Sequence, residues 1–127
     1  MRQLTVLSAV LAAMMALPAV AQTNVTDSAY VMFSACKAYV AASVRTKTKP
    51  PSYDAGFCAG ELRALANLSH VLPPDLKACV PDSVPNAKLV SVAVRYFEAH
   101  PEQIHEAFLT LAQKAFRDAW PCKSNER

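Results

Sequence analysis

The residues best suited to covalent chemistry are four cysteines, Cys36, Cys58, Cys79 and Cys122. An even number of cysteines in a small exported domain is typical of structural disulfides rather than of a nucleophile. No two of them have the Cys-x-x-Cys spacing that many zinc sites and thioredoxin-like sites use. The cysteines therefore predict two disulfides in an oxidising compartment, and the spacing alone leaves three connectivities open.

His100 and His105 lie near Glu102 and Glu106, so a metal site is one interpretation of this segment. The histidines are five residues apart, whereas ligands on one helical face are separated by three or four. A turn that caps and packs a helix explains the segment better, because proline suits the first helical position and glutamate suits the positive end. We predict a structural turn formed by His100, Pro101, Glu102 and His105, with no metal and no other cofactor.

The remaining reactive side chains form no catalytic pattern. The serines lie outside any nucleophile-elbow context, and the few carboxylates suit helix caps and solvated faces. We therefore predict that the protein is not an enzyme.

The beginning of the chain has the order of a secretory signal. A basic Arg2 precedes an apolar run, and Pro18 is followed by the small-residue triplet that ends at Ala21. We predict a signal peptide over residues 1–21, cleaved before Gln22, and one domain over residues 22–127. A membrane anchor is the alternative, but the apolar run is shorter than the roughly 20 residues that span a bilayer.

The charge of the chain is close to balanced, with 13 basic and 10 acidic side chains. Loss of Arg2 with the signal leaves 12 basic against 10 acidic side chains, a net charge near +2. A nucleic-acid partner is not expected from this balance, and no membrane association is expected after cleavage.

Apolar residues three or four apart predict an all-α protein of about four helices in two helical hairpins. The predicted helices run from about Thr26 to Val44, from the N-cap Ser52 to near His70, from Asn86 to Ala99, and from Pro101 to Trp120. The buried stripe of the first helix includes Val44, and that of the fourth includes Ala119. Four prolines between Val71 and Pro85 predict a long ordered loop pinned by Cys79.

Hairpin geometry ranks the possible disulfides. Cys36 and Cys58 lie at similar heights on two antiparallel helices, and Cys79 and Cys122 lie at similar distances from the His100 turn. This reasoning favours pairing Cys36 with Cys58 and Cys79 with Cys122, although the spacing does not prove it.

Two connections are the predicted partner-binding surfaces, since loops on a rigid scaffold commonly carry recognition residues. The first contains Lys47 and Lys49, and the second contains Leu72, Asp75, Leu76 and Lys77. Leu72 and Leu76 are the expected anchors, because exposed apolar loop residues often mark contacts. Ordinary solvated connections remain the alternative interpretation of both.

Several segments resemble a known family. The run from Tyr53 to Gly60 resembles the Tyr-x-x-Gly-x-Cys-x-Gly segment of the Rap/Tai family, the periplasmic immunity proteins of type VI secretion systems. The same resemblance extends to Cys79-Val80-Pro81, Val94-Arg95-Tyr96-Phe97, His100-Pro101-Glu102, His105 and Ala119-Trp120-Pro121-Cys122. It covers approximately Cys36 to Cys122.

The resemblance implies a small helical periplasmic protein that binds and blocks a peptidoglycan amidase toxin. It implies an inhibitor whose partner is the cognate amidase, with surface loops involved in recognition and with homodimers known in the family. The alternative from a different class is a periplasmic chaperone or stress protein without a toxin partner.

Overall fold

Four α-helices occupy stretches of the chain that contain no proline, and the computed structural model describes residues 28–44 and 52–123. The helices are α1 (Ala29–Val44), α2 (Tyr53–Leu68), α3 (Asn86–Ala99) and α4 (Phe108–Ala119). Short 3₁₀ turns follow α2 at Ser69–Val71 and α3 at Pro101–Gln103. The described residues contain no strand, only an isolated bridge between Ser28 and Ala107, and the predicted all-α class is confirmed.

One core joins the four helices, since each of them contacts the other three. The third helix is buried around most of its circumference, and its buried side chains are Leu89, Val90, Val92, Ala93, Val94 and Phe97. The predicted N-cap of α2 is confirmed, because the Ser52 hydroxyl accepts the Ala55 N–H at 3.4 Å. This bond satisfies one of the free amides at the start of the helix.

The disulfides follow the favoured pairing. Cys36 of α1 is joined to Cys58 of α2, and both side chains are completely buried. Cys79 is joined to Cys122, so the long connection before α3 is fixed to the segment that follows α4.

The predicted start of the fourth helix at Pro101 is wrong, because the α-helix begins at Phe108. The Ala29 N–H donates to the Glu106 carbonyl at 2.9 Å, and Ser28 forms the bridge to Ala107. The backbone before Phe108 thus pairs with the start of α1 instead of continuing a helix. Consequently the α3–α4 connection is longer than the tight turn that was predicted.

Two predicted stripe positions are also wrong. Val44 and Ala119 are exposed, because each is the last residue of its helix. On α1 the buried side of the helix includes Met32, which the predicted stripe omitted.

Several predictions fall outside the described residues. These are the signal peptide over residues 1–21, the start of the first helix at Thr26, and the lysines Lys47 and Lys49. Over residues 28–44 and 52–123, no helix has the length and apolar character needed to cross a membrane.

Candidate partner-binding surface

Residues 72–85 connect the 3₁₀ turn after α2 to the start of α3, and we call this segment the contact loop. It contains two reverse turns. The Leu76 N–H donates to the Pro73 carbonyl at 2.9 Å, and the Val84 N–H donates to the Pro81 carbonyl at 3.0 Å. Pro74 occupies the second position of the first turn, where its fixed φ favours the bend. The prolines therefore shape the contact loop rather than merely ending α2.

The contact loop is attached to the rest of the domain at several points. The Ser69 hydroxyl lies 3.0 Å from the Ala78 carbonyl, and the Gln113 Nε2 donates to the Leu76 carbonyl at 2.5 Å. The Cys79 N–H donates to the Trp120 carbonyl at 2.9 Å, beside the disulfide from Cys79 to Cys122. These attachments come from the 3₁₀ turn after α2, from α4 and from the chain after α4, so they hold the first half of the loop from different sides.

A further attachment holds the second half of the contact loop. The guanidinium of Arg63, on α2, donates to the Val84 carbonyl at 2.5 Å and to the Asn86 Oδ1 at 2.7 Å. Between these attachments, Ala78 and Val80 are buried in the core. The predicted long ordered loop, pinned at Cys79, is therefore confirmed.

Three large apolar side chains are exposed at the beginning of this region, and we call Leu68, Val71 and Leu76 the apolar ridge. Their exposed fractions are 57%, 78% and 45%, respectively. Leu68 and Val71 are three residues apart in continuous helical structure, so their side chains are neighbours. Leu76 belongs to the first turn of the contact loop, and the bond from Ser69 to the Ala78 carbonyl holds this part of the loop beside the end of α2.

The structure brings four of the six predicted contact residues together in the contact loop. Asp75 and Leu76 are exposed, whereas Leu72 and Lys77 are half-buried. Of the two predicted anchors, Leu76 is therefore the more exposed. Leu68 was not predicted as a contact residue, and helical periodicity could have identified it, because it lies outside the stripe of buried α2 residues.

Charged groups lie beside the apolar ridge. A shallow depression of about 550 Å³ is lined by His70, Lys77, Asp82 and Lys123, together with the Cys79 region. The His70 Nε2 is 3.8 Å from the Asp82 Oδ1, a distance at which an ion pair forms when the imidazole is protonated. The surface is thus apolar along the ridge and mainly cationic at its edge.

A second apolar surface lies between α1 and α2, and the sequence reasoning did not identify it as a surface. Tyr53 is 83% exposed, and its ring stacks on that of Phe57 with centroids 6.3 Å apart. The two rings border a groove of about 520 Å³ whose opposite wall is formed by α1 residues that include Val31 and Ala35. Tyr53 and Phe57 are four residues apart, which places both rings on one face of α2. This spacing could have identified the surface from the sequence.

The segment after α3 is held by contacts of its own. The His100 N–H donates to the Tyr96 carbonyl at 3.0 Å, and the His100 ring stacks on the Tyr96 ring with centroids 4.0 Å apart. Pro101 occupies the first position of a 3₁₀ turn, and the His105 ring lies 6.1 Å from that of Tyr30. These contacts place the segment of the predicted structural turn between α3 and the start of α1.

Two polar interactions occur in the same segment. The Gln103 amide donates to the Glu102 carboxylate at 3.0 Å and lowers the pKa of that carboxyl. The Lys114 ammonium lies 2.7 Å and 2.8 Å from the two carboxylate oxygens of Glu106. The ion pair holds the connection against α4. In the part of the chain that the structure describes, no three His, Cys, Asp or Glu side chains are grouped so that they could hold a metal ion.

Comparison with known proteins identifies a family. The family model for Rap1a immunity proteins matches residues 19–122, which include all four cysteines, the contact loop and the four helices. No significant match was found among curated proteins or among solved structures.

Proposed function

Because the chain belongs to the Rap1a immunity protein family, we propose that it is a periplasmic inhibitor of a type VI secretion peptidoglycan amidase. In this proposal residues 1–21 are a cleaved signal peptide, and the mature domain binds its effector without catalysing a reaction. Family membership supports an immunity role with an effector protein as partner. The amidase and the periplasmic address are the more specific parts of the proposal.

The apolar ridge on the contact loop is the observation that supports a binding role most directly. Leu68, Val71 and Leu76 are exposed at the end of α2 and in the loop that follows it, and neighbouring exposed apolar side chains often mark a protein-binding site. The loop that carries Leu76 is already fixed by a disulfide and several hydrogen bonds. A preformed loop loses little conformational entropy on binding, which favours tight inhibition.

Charge complements the apolar contact in this proposal. Lys77 and Lys123 border the depression beside the ridge. An effector surface that combines an apolar patch with carboxylates would match it, because opposite charges at the rim accelerate association and set the orientation. The affinity would come mainly from the apolar ridge. Added salt would screen the lysines and would chiefly lower the association rate.

The test is co-expression of the mature chain with a type VI secretion peptidoglycan amidase of the same organism, followed by purification and measurement of lysis. We expect a stable complex and protection of the cells from the amidase. If no amidase binds and the protein instead suppresses aggregation of many unfolded clients, the chaperone alternative is correct.

A matched pair of variants tests the location of the contact. Val71 and Val44 are the same residue type with nearly equal exposure, 78% and 81%. Val44 ends α1 and Val71 follows the end of α2. In the antiparallel hairpin of these two helices, the valines lie near opposite ends of α2, whose 16 residues rise by about 24 Å. We expect Val71→Asp and Leu76→Asp to weaken effector binding by about tenfold or more, since a desolvated charge is unfavourable at an interface.

Val44→Asp should leave the affinity unchanged and serves as the control. Unchanged affinity in both Val71→Asp and Leu76→Asp would move the contact surface away from the apolar ridge. Thermal denaturation of each variant shows whether the domain is still folded at the temperature of the binding assay.

A further inference from the structure

The described residues contain two buried polar side chains, Ser69 and Gln113, and both bind backbone carbonyls of the contact loop. Ser69 is completely buried, and its hydroxyl lies 2.7 Å from the Ala66 carbonyl and 3.0 Å from the Ala78 carbonyl. Gln113 is 7% exposed, and its Nε2 donates to the Leu76 carbonyl. Both buried polar side chains of the described residues thus bind the same loop.

The Gln113 amide is only half satisfied. Its Oε1 is buried and has no hydrogen-bond partner among the described residues. Exchange of the amide oxygen and nitrogen would bring Oε1 against the Leu76 carbonyl, and two acceptors repel, so the observed orientation is the favourable one. An unpaired buried acceptor lowers stability, and an apolar side chain of similar size would avoid that loss.

The position of Gln113 indicates a role for its amide that could offset the stability lost through the unpaired Oε1. It lies at the edge of the buried face of α4, three residues before Phe116, and the contact loop covers it. Its bond to Leu76 is the attachment closest to the exposed tip of the first turn. The next attachment along the chain is at Ala78, where the Ser69 hydroxyl shares its single proton with a second carbonyl.

We propose that Gln113 is a positioning residue that holds the first turn of the contact loop in the conformation in which Leu76 meets the effector. This inference rests on the proposed function of the apolar ridge. Gln113 itself is too buried to contact a partner. Its contribution is to reduce the loss of conformational freedom of residues 73–77 on binding.

The variant Gln113→Met tests this role, because methionine has a similar length and flexibility and lacks both the N–H donor and the orphaned acceptor. We expect exchange of the Leu76 amide hydrogen to become about tenfold faster, since one net hydrogen bond contributes about that factor. Exchange of core amides such as that of Val90 should not become faster. The melting temperature should stay close to that of the wild type, because removal of the unpaired Oε1 offsets the loss of the bond to the Leu76 carbonyl.

Gln103→Met is the matched control. Gln103 also forms amide hydrogen bonds, but its partners are Glu102 and Lys114, away from the contact loop. This variant should leave exchange at Leu76 unchanged. If Gln113→Met leaves the Leu76 amide as protected as in the wild type, or accelerates all amides equally, Gln113 has only a general structural role.

Binding supplies the second measurement, with the co-expressed amidase as the probe. Gln113→Met should weaken the complex about tenfold although the protein remains as stable as the wild type. Equal affinity for the two proteins would overturn the inference even if exchange at Leu76 is faster. Failure of the proposed contact surface is recognised separately, because Val71→Asp and Leu76→Asp would then bind normally.

Discussion

Removal of the Cys79–Cys122 disulfide is the perturbation whose effect follows most directly from the structure. The bond joins residues 43 positions apart, and the chain-entropy relation for a loop of that length gives a stabilisation of about 4 kcal/mol. Both cysteines are half-buried, so replacement of both by serine adds little cavity or desolvation energy. The free energy of unfolding should therefore fall by about 4 kcal/mol, a large part of the 5 to 15 kcal/mol typical of a domain.

Urea denaturation followed by circular dichroism measures this loss. With an m-value between about 1 and 2 kcal/mol/M, the midpoint should move down by about 2 to 4 M. Addition of reductant to the double variant supplies an internal control, because Cys36–Cys58 is then the one disulfide left to break. That bond closes 22 residues and should contribute about 3.4 kcal/mol more.

A loss below about 1 kcal/mol on removal of Cys79–Cys122 would refute the entropy argument for this bond. It would mean that the hydrogen bonds from Ser69, Gln113 and Arg63 and the burial of Ala78 already restrict the chain to the same extent. If the double variant has the same free energy of unfolding with and without reductant, the buried bond between Cys36 and Cys58 resists reduction in the folded protein.

Three other perturbations have outcomes set by particular contacts. Phe116 is completely buried, so Phe116→Ala should lower stability by about 3 to 5 kcal/mol, whereas Tyr53→Ala, at an exposed ring, should change it by about 0.5 kcal/mol or less. Ser52→Ala removes the N-cap of α2 and should lower stability by about 1 kcal/mol in the same urea titration. The pKa of Glu102 is lowered in the folded state by the Gln103 amide, so its contribution is present above the ordinary carboxyl pKa of about 4.3 and is lost as the pH falls through the lower folded value. Glu102→Gln should flatten the fall of the melting temperature over that acid range, and an unchanged pH profile would contradict the assignment.

Local sequence signals were sufficient for most of the helical architecture. Prolines at positions 50, 51, 85 and 121 flank the helices, and proline is disfavoured within a helix at any position past its first turn. The disulfide pairing was also predictable, because two antiparallel hairpins place Cys36 opposite Cys58. These are properties of short segments and of their distances from a turn.

The start of α4 was not predictable in the same way. Ile104 and Phe108 continue an apolar pattern that favours a helix from Pro101 onward. What ends that pattern is the pairing of Glu106 and Ala107 with the start of α1, nearly 80 residues earlier in the chain. A long-range hydrogen bond that competes with helix formation cannot be detected from the local pattern of apolar residues.

Gln113 illustrates a different limit on sequence reasoning. A single polar residue beside an apolar stripe is usually solvated, and the sequence reasoning gave it no role. It is buried because the contact loop covers it, and the position of that loop depends on the disulfide to Cys122 and on the bond to Leu76. The contact loop and its exposed Leu76 were thus predictable from the sequence, but the contacts that hold the loop were not.

The attachments of the contact loop differ in the conditions under which they act. The Cys79–Cys122 disulfide exists only where thiols are oxidised, whereas the bonds from Ser69 and Gln113 form in any compartment. Before oxidation, the loop is held by the side-chain bonds from Ser69 and Gln113, by the Arg63 contacts and by the backbone bond from Cys79 to Trp120, each of modest net strength. In the proposed function, oxidation then fixes Cys79, three residues from Leu76, so completion of this surface would be coupled to arrival in an oxidising compartment. For an inhibitor of a periplasmic enzyme, the surface would become fully rigid where its partner acts.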